Sequence, residues 1–197
     1  MSSLYEYYDT GANNAALVGY NHFREGQSFI AQATYKLTRI DVKVYRIGSP
    51  TYLYIDIYAA DANKAPTGNS LGSAYKSYSD VGTDAAGTWV TFNLSPTPTL
   101  SSGTRYVIVA SSYPVADTSN YWYWMANDSS DGTLTLVLST NDGSSWSYAY
   151  PYALRCHYRN YGDSISSING FNGLATASVK TVNGPAIASV KTWNGLT

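Results

Sequence analysis

From about Gln27 to Gly162 apolar and polar residues alternate in short runs, separated by clusters of Gly, Pro, Asn, Asp and Ser. Nowhere do apolar residues recur at spacings of three and four over a helical length, so the pattern predicts an all-β chain. The clearest strand covers 39–47, with Ile40, Val42 and Val44 on one face and Asp41, Lys43 and Tyr45 on the other. The next covers 52–58, where Leu53, Ile55 and Ile57 oppose Tyr52, Tyr54, Asp56 and Tyr58. Further strands are expected over 27–33, 88–94, 104–111, 121–125, 133–139, 146–150 and 153–161, with a short one over 73–79 in the polar connection 59–87. About nine strands in roughly 140 residues is the density of an antiparallel β-sandwich of jelly-roll type, because a single sheet of that size leaves an aliphatic face wet. The expected core is Ile40, Val42, Val44, Leu53, Ile55, Ile57, Val107, Val109, Leu134, Leu136, Leu138, Leu154 and Cys156, with Cys156 a buried small hydrophobe.

The C-terminal 31 residues change character. Segments starting at Ser167, Ser178 and Ser189 align with an 11-residue period, and the third copy stops early. Each copy holds an Asn-Gly pair (Asn172-Gly173, Asn183-Gly184, Asn194-Gly195), the strongest two-residue hairpin signal, so each reads as strand, tight turn, strand. Units this small bury too little to stand alone and are expected to pack on the sandwich, on sister chains or on a larger assembly. The expected organisation is therefore an N-terminal arm over 1–24, a sandwich over 25–162 and three hairpin repeats over 163–197. The candidate assembly residues are Val179, Val182, Asn183, Gly184, Ile187, Val190, Trp193, Asn194, Gly195 and Leu196.

Composition narrows the chemistry. The 197 residues carry 12 Lys and Arg against 13 Asp and Glu, a formal charge of −1 that supplies no field for a phosphate backbone, so nucleic acid is not an expected partner. Tyr (20) and Trp (5) make the chain aromatic at 15%, while charged residues reach only 13%, so solubility rests on hydroxyls and amides. One cysteine excludes an intrachain disulfide, and two histidines exclude a multi-histidine metal centre. The N-terminus has neither the basic nor the apolar region of a secretion signal, and no window approaches a membrane span.

Candidate binding residues lie in the aromatic clusters Tyr121-Trp122-Tyr123-Trp124 and Trp146, Tyr148, Tyr150 and Tyr152. An exposed Trp or Tyr stacks on the apolar face of a sugar ring, which makes Trp122, Trp124, Trp146 and Tyr148 candidate ligand contacts. Alternation along 121–125 puts one set of side chains in the core, so packing is the competing reading for the tryptophans. Tyr52, Tyr54 and Tyr58 are open to the same two readings and to a subunit interface. Oxygen-rich runs at Asp61-Ala-Asn63 and 127–132 offer oxygen ligands of the kind calcium takes but lack EF-hand spacing, so turns are the favoured reading over a structural calcium and no metal or other cofactor is expected. No nucleophile with a base, carboxylate pair or phosphate-binding loop stands out, and a pair drawn from Glu6, Asp9 and Glu25 is arbitrary, so no enzyme is expected. Arg155, His157 and Arg159 alternate on one strand and read as a solvated or interface stripe.

Two resemblances rest on longer runs. Gly26-Gln-Ser-Phe-Ile, Tyr35-Lys-Leu-Thr-Arg-Ile-Asp-Val-Lys-Val-Tyr-Arg-Ile-Gly, Leu53-Tyr-Ile-Asp-Ile-Tyr, Ala65-Pro-Thr-Gly, Trp89-Val-Thr-Phe, Leu100-Ser-Ser-Gly-Thr-Arg-Tyr-Val-Ile-Val and Tyr121-Trp-Tyr-Trp together resemble the choice-of-anchor R domain over roughly 25–162. That module is a β-sandwich of bacterial surface proteins and phage structural proteins and is not known as catalytic. The C-terminal copies resemble the Val-Lys-Thr-Trp-Asn-Gly-Leu repeats that close phage virion proteins. Ser139-Thr-Asn-Asp-Gly-Ser-Ser-Trp also resembles an Asp-box hairpin, with Asn141 at the Asp position and Ser145 in place of Thr. The combination implies a noncatalytic accessory protein located in the virion: a head fibre, a decoration protein or a tail-fibre adhesin. Its expected partners are sister chains, as a homo-oligomer and by analogy a trimer, together with other virion proteins and a host-surface glycan. The alternative is a carbohydrate-binding module of a bacterial surface or secreted protein.

Overall fold

The computed structural model describes residues 2–11, 15–19, 22–114, 117–127, 136–148, 155–165, 170–171 and 174–175. The chain divides into two units, Met1–Ser164 and Ile165–Thr197. The first begins with β1 (Ser3–Tyr8), β2 (Ala15–Gly19), β3 (Arg24–Ile30), β4 (Tyr35–Ile47), β5 (Tyr52–Ala60) and β6 (Pro66–Ser77). A 3-10 turn over Tyr78–Asp80 leads to β7 (Thr88–Asn93), β8 (Thr99–Leu100), β9 (Arg105–Tyr113) and β10 (Tyr121–Asn127). The unit closes with β11 (Leu136–Ser139), β12 (Ser147–Tyr148), β13 (Arg155–Cys156) and β14 (Tyr158–Ser164).

These strands form two antiparallel sheets. In the first, of eight strands, β4 is long enough to pair with β14 and β10 along one edge and with β7 and β8 along the other. The second runs β12-β11-β3-β9-β5-β6. The strict period of two in β4 and β5 sends Ile40, Val42 and Val44 of the first sheet and Leu53, Ile55 and Ile57 of the second into one buried layer. Phe29, Phe92, Ile108, Trp122 and Tyr158 complete that layer, so the chain is an all-β sandwich. Cys156 lies in the same layer, and burial holds its thiol well above its ordinary pKa, with the Glu25 carboxyl adding to the effect.

Several expectations are corrected. Val107 and Val109 are buried on the opposite face of β9, in a small cluster with Val137 that Tyr58, Ala60 and Trp146 cover. The inter-sheet positions of β9 are Tyr106, Ile108 and Ala110, paired with Phe29, Ile57 and Ile55. Leu138 is half-buried, while Leu134 and Leu154 lie outside the described residues. The expected arm over 1–24 supplies β1, which pairs with β14, and β2, which pairs with β10. Alternation in β1 is hidden by the buried Glu6. Its carboxylate accepts the Gln32 N–H at 2.8 Å and the Tyr35 hydroxyl proton, while Tyr5 stacks on Tyr35 with ring centroids 3.7 Å apart.

In the second unit β15 (Gly170–Phe171) and β16 (Leu174–Ala175) pair antiparallel across positions 172 and 173. The candidate assembly residues from Val179 to Leu196 lie outside the described residues.

Candidate functional site

The outward face of the second sheet gathers tyrosines. Because β5 alternates, Tyr52 and Tyr54 point away from the core that Leu53 and Ile55 enter. Tyr75 on β6 stands opposite Tyr54, and Tyr113 on β9 stands opposite Tyr52. Tyr54 and Tyr75 have ring centroids 5.3 Å apart, and Tyr52 meets Tyr75 edge-on at the same distance. Tyr113 stands edge-on to Tyr54 at 6.5 Å and 85°. Cross-strand aromatic pairs of this kind stabilise a sheet by about 0.2–1 kcal/mol each. Packing does not use up the rings, since Tyr113 is 68%, Tyr75 59% and Tyr52 36% exposed.

Beside them opens a groove of about 410 Å³, lined by Arg24, Tyr54, Asp56, Ser111, Ser112, Tyr113 and Asp142. Asp56 reaches it from β5 and also accepts a hydrogen bond from the Ser70 hydroxyl at 3.1 Å. Tyr58, further along the same face, has its phenol pKa raised by burial first and the Asp56 carboxylate second, against a lowering by Arg24.

Asp142 comes from the hairpin between β11 and β12. The Ser139 hydroxyl accepts the Gly143 N–H at 2.8 Å, and the Asn141 side-chain oxygen accepts the Ser145 N–H at 2.9 Å. Asn141 thus ties down the turn amides as the acidic residue of an Asp-box does. Asp142 takes the left-handed conformation at φ 58°, and its N–H donates to the His22 carbonyl at 3.0 Å. Its carboxylate lies 2.5 Å from His22 Nδ1 and 4.0 Å from Arg24. Beneath the hairpin Trp146 packs half-buried against the Val107 cluster, where Gly26 leaves room: a Cβ there would lie 2.7 Å from Val137 and 3.4 Å from Trp146.

The structure rearranges the residues singled out in the sequence. Trp122 and Trp124 are only 2% and 3% exposed and form part of the core, which removes them as ligand contacts. Their indole N–H groups donate to the Ser112 hydroxyl at 3.3 Å and to the His157 carbonyl at 3.0 Å. Tyr148 is placed by its backbone, opposite Val137 in β12. Tyr150 and Tyr152 lie outside the described residues. Tyr75, Tyr113, Arg24 and Asp142 share no sequence pattern, because neighbouring strands and a distant hairpin bring them together.

In the stripe Arg155, His157, Arg159 the two arginines are half-buried over aromatic rings and only His157 is withdrawn from solvent. Tyr8 lies under the Arg155 guanidinium at 3.9 Å and Trp89 under that of Arg159 at 4.1 Å, while Asp9 pairs with Arg159 at 2.8 Å. His157 is buried at 1% exposure, and neither ring nitrogen has a hydrogen-bond partner among the described residues. Burial first and Lys43 second lower its pKa, against a raising effect of Asp9.

The three carboxylates considered for acid-base work are dispersed in role. Glu6 is tied to Gln32 and Tyr35, Asp9 to Arg159, and Glu25 is buried between the sheets. Among the described residues no three His, Cys, Asp or Glu side chains gather to hold a metal ion. No protein-family model matches the chain, and no curated protein matches it significantly in sequence.

Proposed function

We propose that the protein is a noncatalytic accessory protein of a phage virion, a head fibre, decoration protein or tail-fibre adhesin. In this reading the sandwich presents its tyrosine face outward, and the repeats over 163–197 join sister chains, as a trimer, or dock to other virion proteins. The observation that carries it is the cluster of exposed Tyr52, Tyr75 and Tyr113 around half-buried Tyr54, beside a groove lined in part by charged residues. A contiguous exposed aromatic patch rimmed by polar groups marks a recognition surface. Separate commitment of Glu6, Asp9 and Glu25 supports a binding role over a catalytic one. Pairing of β15 with β16 across the first Asn-Gly position supports the hairpin reading of the repeats.

Light scattering on the full chain and on a chain lacking residues 166–197 tests this. A multiple of the 21.4 kDa subunit mass that falls to the mass of one subunit on deletion agrees with the proposal. A full chain that is monomeric, or an oligomer unchanged by the deletion, contradicts the joining of sister chains through the repeats and leaves docking to other virion proteins as their role.

The second reading is a carbohydrate-binding module of a bacterial surface or secreted protein. Its specific support is the same groove, in which phenol rings adjoin carboxylates and a guanidinium.

A further inference from the structure

We infer that the groove beside Tyr54 and Tyr113 binds an uncharged oligosaccharide. This rests on the adhesive role proposed above and assigns that role a ligand class and a site.

The lining of the groove combines two chemistries. Tyr113 is 68% exposed and meets Tyr54 at 85° with ring centroids 6.5 Å apart, so most of its surface is open. An open phenol ring accepts the C–H face of a sugar by stacking. In the same lining Asp56 and Asp142 offer acceptor oxygens to sugar hydroxyls, Arg24 offers forked donors, and the Ser111 hydroxyl does either. An apolar ring face edged with hydroxyls matches both chemistries.

Charge selects among sugars. Asp142 is already engaged, 2.5 Å from His22 Nδ1 and 4.0 Å from Arg24, which leaves Asp56 as the groove carboxylate outside an ion pair among the described residues. The remaining field is negative, so it repels phosphate, sulfate, uronate and sialate groups and leaves uncharged sugars as the matching class. The same arrangement disfavours a second copy of this chain as the occupant, since a dry interface would bury Asp56 without a cation of its own.

Size and rigidity agree. About 410 Å³ falls in the range of pockets for small ligands. Asp142 is fixed by the hairpin's internal bonds and by its N–H to the His22 carbonyl, and Tyr54 by its cross-strand neighbour Tyr75, so little ordering remains to oppose binding.

Calorimetric titration of the full chain tests the assignment. The uncharged probes are malto-, cello-, xylo-, manno- and chitohexaose, and the charged ones are oligogalacturonate and oligosialic acid. At least one uncharged hexaose is expected to bind, with affinity at least tenfold weaker in both Tyr113→Ala and Asp56→Asn, while the charged probes do not bind. Tyr113 is exposed and Asp56 half-buried on the outward face, and unaltered urea midpoints show that the fold persists. Absence of binding by every uncharged probe overturns the inference, as does binding by charged probes alone or binding that neither substitution weakens. A Tyr113→Ala chain that loses mass in light scattering instead of sugar affinity assigns the face to a subunit contact. Failure of sugar binding with an intact oligomer leaves the virion role standing. Sugar binding by a chain that is monomeric with or without residues 166–197 retains the site and removes the homo-oligomer.

Discussion

Glu25 offers a test of the sandwich that needs no ligand. Its side chain enters the inter-sheet layer from β3 and is 3% exposed. It borders a space of about 10 Å³ shared with Val44, Leu53, Ala110, Trp122 and Trp124. Burial raises its pKa well above the ordinary 4.5, opposed only by a hydrogen bond from its own backbone. Between 4.5 and the raised value the native state holds a proton that the unfolded state has lost, so stability falls as pH rises. One proton corresponds to a slope of about 1.4 kcal/mol per pH unit across that window, and the contribution is fully present below 4.5. Glu25→Gln keeps the volume and removes the titration. Urea unfolding of both chains at unit intervals from pH 4 to 8 gives the difference, in which contributions from all other groups cancel. The stability of the variant relative to wild type is expected to climb above pH 4.5 by about 1.4 kcal/mol per unit until the native carboxyl ionises. Parallel profiles would show that Glu25 titrates as an exposed residue and would refute its placement between the sheets.

Other expectations concern packing and His157. A Cβ on Gly162 would lie 2.3 Å from the Tyr35 ring and 2.4 Å from the Lys36 carbonyl oxygen. Gly162→Ala should therefore cost about 1–3 kcal/mol or more, read as a lower urea midpoint at unchanged m-value. His157 has a lowered pKa, so the unfolded state takes up a proton first as pH drops below the ordinary 6.5. Stability from this group is full above 6.5 and declines on acidification by up to about 1.4 kcal/mol per unit, a slope that His157→Leu should abolish in thermal melts at pH 5 to 7. If the slope survives the substitution, His157 is not buried as a neutral ring. Trp122→Ala opens the core and should cost about 3–5 kcal/mol, against a small effect for Tyr113→Ala; equal losses would contradict their assignment to opposite faces.

The strands β4 and β5 were legible because aliphatic and polar residues alternate without exception through Ile40 to Tyr45 and Leu53 to Tyr58. In β9 the run Tyr106 to Ala110 is apolar throughout, so periodicity does not distinguish its faces. Both are covered, one by the other sheet and one by the hairpin that seats Trp146. β1 was hidden for the opposite reason, since Glu6 at a buried position reads as polar until Tyr35 and Gln32 are seen to satisfy it. Trp122 and Trp124 share one face by spacing, but which face is inward depends on the pairing of β10 with β4. The tyrosine half of the site was partly visible, since Tyr52 and Tyr54 alternate with core residues. The charged half was not, because His22 and Arg24 meet Asp142 only when β11 pairs with β3.

The central claim, that this sandwich is displayed on a phage particle, is tested most directly by quantitative mass spectrometry of density-gradient-purified particles from the lysate of the host that makes the protein. The expected result is this chain banding with the capsid and tail proteins at a fixed ratio to them. Recovery only in the soluble fraction, or on the surface of cells that release no particles, would contradict it.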